Sequence, residues 1–297
     1  MKTQTMNKYK YSDLLLYKKK IKDLYCKLGL NFDESNRISK YFKYLGEIEK
    51  SRTLDKDKFR ALIQKNKAKY YYSQFYVLEI CKIIDALQNT KLDGNILKEK
   101  LTHLAKGTYL LSEENINNTQ ARDTTFELSL FSFFYARNLR VKLGSPNPDL
   151  QLLTDNFTYN IECKRPYSPK SLERHIRKAL KQLRKTRNGG SISTMALSLE
   201  QVILGDDLIL DSKDEQSALT FLNATLSQFA QDNLPMIRKI CDYEPCLILY
   251  WLSCLTGFKT DFPMAHTTFF VGNVYNFDQN LSGRIYKDLQ IMLPPKN

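Results

Sequence analysis

The sequence predicts an α/β domain preceded by a helical domain, and three features carry that expectation. From Tyr9 to about Leu110, apolar residues recur at helical spacing with lysines between them. Around Glu162 the period changes to two: Tyr159, Ile161 and Cys163 fall on one side, and Asn160, Glu162 and Lys164 on the other. Two further apolar runs of strand length, Leu247–Leu252 and Thr267–Tyr275, follow long helical stretches. At 297 residues the chain can bury enough surface for two such domains rather than a single sheet.

Taken in order, the first helices are expected at Leu14–Leu28, Arg37–Ile48, Lys58–Lys67 and Tyr72–Leu87, with turns at Gly29, Gly46 and Asp93-Gly94. Tyr70, Tyr71, Tyr72 and Tyr76 lie close to Lys65, Lys67 and Lys69. Aromatic residues among lysines can stack on bases, but helix packing with the hydroxyls in water is the favoured reading. Polar Asn115–Gln120 is the expected linker, giving a basic helical domain over 1–115 and a second domain over 116–297. That domain begins with the apolar helical run Thr125–Phe134, which carries one acid, Glu127. Strands are expected at Arg140–Leu143, Asp149–Leu153 and Thr158–Lys164, then a helix at Pro169–Lys185 and a strand at Ile192–Leu199. Ser212-Lys213-Asp214-Glu215 reads as a capping box opening a helix to about Asp232, with Ser212 and Glu215 satisfying each other's amides.

Charge narrows the class of partner. The formal net charge is +13, which points to a polyanion and speaks to association rather than to fold. Residues 1–110 hold 24 Lys/Arg against 12 Asp/Glu, and 111–297 hold 21 against 20. Within the second part, Lys164–Arg187 has ten basic residues and the single acid Glu173. The six cysteines show no C-x-x-C pair and no metal spacing, and are expected to be reduced and mostly buried. The first residues carry no apolar leader, and the longest apolar run, Cys246–Leu255, is too short to span a bilayer. A cytoplasmic protein with no membrane partner is therefore expected. Glycine-rich phosphate loops and a Ser-His-Asp arrangement are both missing from the sequence. His175 is expected on the sheet-facing side of its helix, as a satisfied buried histidine rather than a phosphate contact.

The chemistry concentrates in Pro148-Asp149 and Ile161-Glu162-Cys163-Lys164. On a strand, Glu162 and Lys164 point the same way. If Asp149 ends the neighbouring strand, two carboxylates meet one lysine, which suits a hard cation, a water nucleophile and a phosphate. A Glu-x-Lys tripeptide alone means little, since alternating charges on the wet face of any strand produce it. Here Arg165-Pro166-Tyr167-Ser168-Pro169 and a strongly basic helix follow. Ser168, with Pro169 at the first helical position, presents free amides there.

In these residues the chain resembles the restriction-endonuclease-like superfamily, the PD-(D/E)xK nucleases, over roughly residues 120 to 200. The resemblance implies a core of helix, three strands, helix and strand around a mixed sheet. It implies a Mg2+-dependent nuclease, with Mn2+ as a substitute, acting on DNA, with endonuclease action favoured. Asp149 and Glu162 would ligate the metal, with Glu127 and the carbonyl of Cys163 as further ligands. Lys164 would hold the attacking water or stabilise charge on the phosphate, and Gln182 would orient water. A boundary residue solvated at the helix edge is an equal reading of Gln182. Arg165, Lys170, Arg174, Lys178 and Lys181 would contact the backbone. A nuclease domain fused to a basic helical module fits antiphage or mobile-element defence, with a homodimer or a partner protein in that system. The alternatives are a repair or recombination nuclease and a catalytically silent nucleic-acid-binding protein.

Overall fold

The computed structural model describes residues 10–114, 118–144, 147–205, 209–242, 244–258 and 265–292, and the side chains of 111, 215, 258 and 265–271, His266 included, are not among them. By compactness the chain divides into two units, Lys8–Ser132 and Phe133–Asn297. The division falls inside a helix and not at 115–120, where the linker was expected; residues 115–117 and the chain start at 1–9 lie outside the described residues. The reason is packing: Arg122 donates to Tyr76 at 2.8 Å, Arg37 to Thr125 at 2.9 Å, and Ser129 to Glu79.

The first unit holds α1 (Tyr11–Lys27), α2 (Arg37–Ser51), α3 (Lys56–Lys65), α4 (Lys67–Gln88), α5 (Gly94–Ala105) and most of α6 (Gln120–Tyr135). Gly29, at φ +68°, ends α1 in the left-handed conformation that its missing Cβ permits. Asp93 caps α5 by accepting from the amides of Asn95 and Ile96. Gly46, expected at a turn, sits instead within α2, where an added Cβ would meet Leu15 of α1 at 3.8 Å. Helix α4 is apolar on nearly all sides and correspondingly buried. Its Tyr70, Tyr71, Tyr72 and Tyr76 are core residues, with Tyr76 stacked on Tyr41 at 4.9 Å. The base-stacking alternative therefore fails, and the Tyr76 hydroxyl meets Arg122 rather than water. Arg37 and Arg122 are both buried, so part of the basic excess is consumed inside the fold.

The second unit contains β1 (Arg140–Leu143), β2 (Leu150–Leu153), β3 (Thr158–Lys164), α7 (Pro169–Thr186), β4 (Ser191–Ser198), α8 (Glu200–Leu204), β5 (Ile209–Ser212), α9 (Glu215–Asp232), α10 (Leu234–Cys241), β6 (Cys246–Phe258), β7 (Ala265–Tyr275) and α11 (Gln279–Met292). The strands form one mixed sheet. β1, β2 and β3 run as an antiparallel meander, β3, β4 and β6 are parallel, β5 lies parallel to the far end of β6, and β7 closes the other edge antiparallel to β6. Both faces are covered, so β3 is buried along almost its whole length rather than on alternate residues.

On one face Leu172, Ile176, Ala179 and Leu183 of α7 pack with Met195 and Leu197 of β4 and Ile248 and Tyr250 of β6. On the other, Asp288 of α11 receives the Tyr159 hydroxyl at 2.7 Å, the Thr154 hydroxyl at 2.6 Å and the Asn156 amide at 2.6 Å. Phe133, at the end of α6, meets Trp251 edge-on at 5.1 Å. The capping box fails as read: Ser212 ends β5, and the α9 cap is Asp214, which accepts from the amide of Ser217 at 2.7 Å. No described helix is long and apolar enough to cross a membrane.

Candidate functional site

The β2–β3 register pairs Leu150 with Ile161 and Gln151 with Asn160, and one step further sets Asp149 opposite Glu162. Residues opposed across antiparallel strands share a face. Gln151 accordingly donates to Asn160 at 3.0 Å, and Asn160 donates to the carbonyl of Thr186 at the end of α7. Asp149, Glu162 and Lys164 therefore lie on the α7 face of the sheet.

Their side chains meet. Lys164 Nζ lies 3.0 Å from Glu162 Oε2 and 3.9 Å from Asp149 Oδ2, and donates to the carbonyl of Cys163 at 3.0 Å. The amide of Cys163 in turn donates to Asp149 Oδ2 at 2.7 Å. Side-chain exposure is 0% for Glu162, 11% for Lys164 and 13% for Asp149. Burial first, and the Asp149 carboxylate second, push the Glu162 carboxyl up to about 7. Burial opposes the charge on Lys164, but Asp149 and Glu162 outweigh it and hold its pKa raised.

Stability should carry the mark of this carboxyl. The folded chain holds the Glu162 proton more tightly than the unfolded chain does, so its contribution is full below the ordinary carboxyl pKa of 4.5. It is lost as pH rises to about 7. Denaturant unfolding in chelator is expected to show wild type losing stability relative to Glu162→Gln between pH 4.5 and 8, by on the order of 2–3 kcal/mol. A difference between the two that stays constant with pH would contradict the assignment.

Two residues outside the motif hold Asp149 in place. Gly144 donates its amide to the Asp149 carbonyl at 2.9 Å, and a Cβ at Gly144 would lie 1.8 Å from the carbonyl oxygen of Pro148. Only glycine allows that approach. Asn147, joined to Pro148 by a cis peptide, accepts from Gln182 Nε2 at 2.9 Å. Gln182 thus touches the loop that delivers Asp149. Sequence reasoning missed Gly144 and Asn147, whose signal was only a Gly-Ser-Pro-Asn-Pro turn.

The other expected ligands divide. The carbonyl of Cys163 faces Lys164, as above. Glu127 belongs to the other unit, where Lys100 pairs with it at 2.5 Å. Among the described residues no three His, Cys, Asp or Glu side chains are grouped as a metal ion would need. His175 is not the satisfied histidine expected. Neither ring nitrogen has a hydrogen-bond partner, and burial together with Arg174, Lys164, Lys178 and Arg165 holds its pKa down to about 4.

No family model, no curated protein and no solved structure matches the chain.

Along α7 the basic residues take different partners. Lys170, Arg174, Lys178 and Lys181 are exposed and Arg165 is half-buried. Arg174 donates to the Tyr167 hydroxyl at 2.7 Å, Arg177 pairs with Glu173, and Arg184 with Glu244. At the helix start the Ser168 amide is engaged by Ser171 Oγ at 3.2 Å, so it is less open than the sequence suggests.

Proposed function

We propose that the chain is a metal-dependent nuclease of the PD-(D/E)xK kind that hydrolyses phosphodiester bonds in DNA. One observation carries the reading: Asp149 and Glu162 stand opposed on neighbouring strands with Lys164 against both. The run α6, β1, β2, β3, α7, β4 supports it, since it has the order of helix, three strands, helix and strand that this resemblance implies.

Part of a divalent cation's oxygen shell is present in the Asp149 and Glu162 carboxylates and the Cys163 carbonyl, with no third acidic side chain grouped with them among the described residues. Two carboxylates share a buried space with a single ammonium, and burial first, then repulsion from Asp149, raises the Glu162 carboxyl, a cost that a bound cation would relieve. Their donors are hard oxygens, suited to Mg2+ or Mn2+. Such an ion, when bound, supplies an acidified water and neutralises charge on the phosphate.

The protein's own groups do the rest. Asp149, fixed by the Cys163 amide and by the turn at Gly144, holds one carboxylate oxygen in register with Glu162. Lys164 donates either to the attacking water or to the charge that develops on a nonbridging phosphate oxygen. Gln182 fixes the loop through Asn147 and, on this reading, orients water. Arg165, Lys170, Arg174, Lys178 and Lys181 give the nucleic acid backbone its contacts. The fusion to a lysine-rich helical unit supports a role in antiphage or mobile-element defence.

Incubating the purified chain with plasmid, linear duplex, single-stranded DNA and RNA, with Mg2+ or with chelator, tests the activity. Metal-dependent cleavage of DNA is expected. A chain that binds DNA and Mg2+ yet cuts none of these would be the silent binding protein instead. Binding itself should fall steeply with salt, because each phosphate contact releases about one counterion. Reversing Lys178 and Lys181 to glutamate together is expected to lower the logarithmic salt slope by about 2. An unchanged slope in a filter-binding titration would mean that this face is only solvated.

A further inference from the structure

Away from Asp149 and Glu162, two thiols are in contact. Cys241 is the last residue of α10 and Cys246 the first of β6, and their sulfurs lie 3.3 Å apart. Both are buried, at 1% and 0% exposure. The turn between them is anchored by Asn276, whose side-chain amide donates to the carbonyls of Cys241, at 2.9 Å, and Asp242. Cys241 also lines a cavity of about 420 Å3, together with Arg238, Asp242, Asn273, Asn276 and Tyr286. Cys246 is not among its lining residues.

We propose that Cys241 and Cys246 are an oxidisable dithiol that closes to an intramolecular disulfide when a hydroperoxide enters this cavity. The sulfurs need only close from 3.3 Å to about 2.05 Å, while the backbone on either side is already held. Access assigns the order of events. The Cys241 thiolate attacks the terminal peroxide oxygen, the O–O bond breaks, and the departing alkoxide, or hydroxide from hydrogen peroxide, takes the proton that Cys241 gave up and leaves as an alcohol or water. Cys246 then attacks the Cys241 sulfenic sulfur, the S–O bond breaks, and the hydroxide leaves as water with the Cys246 proton. Two thiols lose two electrons and one hydroperoxide gains them.

The hydrogen bond between the two sulfurs supports these roles by lowering the Cys241 pKa, and together with burial it raises that of Cys246. Burial pushes Cys81 and Cys254 up, which withholds the reactive thiolate there. Closure would tie the end of α10 to β6, the strand that pairs with β4, β5 and β7.

The test is to treat the full chain with hydrogen peroxide, quench, denature and alkylate, then weigh the intact protein and map its peptides. Of the six thiols, two should be lost to alkylation and regained with reductant, and the linked peptide should join Cys241 to Cys246. Cys246→Ser should stop at a Cys241 sulfenic acid that dimedone traps, and Cys241→Ser should keep all its remaining thiols. Six alkylated thiols after wild-type oxidation, a bridge between other cysteines, or Cys241 sulfinic acid beside a free Cys246 would each overturn the proposal.

Discussion

Lys164→Ala is expected to lower metal-dependent DNA cleavage by a factor on the order of 10²–10³ while leaving duplex affinity within about a factor of two. The loss has the size of one donor removed from charge developing in a transition state. Affinity should survive because the exposed cations of α7 contact the backbone, whereas Lys164 is buried against Glu162 and Asp149. The fold should tolerate the change. With its cation gone, the already raised Glu162 carboxyl takes up a proton more readily, so no unpaired charge need remain buried. Cleavage rates at saturating DNA, measured beside binding isotherms, separate the two effects. Loss of affinity in proportion to loss of rate would make Lys164 a binding residue, and an unchanged rate would remove it from the chemistry.

Asp288→Ala is expected to cost the fold about 3–5 kcal/mol, among the largest effects of any single substitution. The carboxylate is fully buried and accepts from Tyr159, Thr154 and Asn156. Its removal leaves the buried Tyr159 hydroxyl and the half-buried Thr154 hydroxyl without this acceptor, while the exposed Asn156 amide can turn to water. Because these donors sit on the β2–β3 hairpin and Asp288 on α11, the contact also fixes the hairpin whose register sets Asp149 opposite Glu162. Tyr159→Phe, which removes one donor and leaves the acceptor two, should cost about 1 kcal/mol. Urea unfolding of the three proteins checks this. A loss below about 1 kcal/mol for Asp288→Ala would mean that the hairpin is held by packing alone.

The two substitutions also mark what could be read from residues alone. The strands at Arg140–Leu143 and Thr158–Lys164 and the helix from Pro169 were legible because their periods are strong and Pro169 punctuates the chain. The juxtaposition of Glu162 and Lys164 followed from a period of two, and that of Asp149 followed once a strand pair was assumed. Asp288 was invisible, since a carboxylate whose partners lie 129 to 134 positions away leaves no local pattern. Gly144 was illegible for a related reason: its need is set by the carbonyl of Pro148 across the turn. Strand β5 is short and pairs only with the far end of β6, and its Ser212 looked like a helix cap until Asp214 took that place. Glu127 was placed by analogy of order, and Lys100, which pairs with it, lies 27 positions upstream.

In the proposed function Asp149 and Glu162 together hold a divalent cation. Calorimetric titration of Mn2+ into the full chain, beside Glu162→Gln, tests it without regard to which nucleic acid is cut. The account predicts one site in wild type whose affinity strengthens as pH rises to about 7 and levels above, because ligation needs the ionised carboxyl. It predicts at least a tenfold weakening in the variant. Equal Mn2+ affinity in the two proteins, or none in wild type at pH 8, would contradict it.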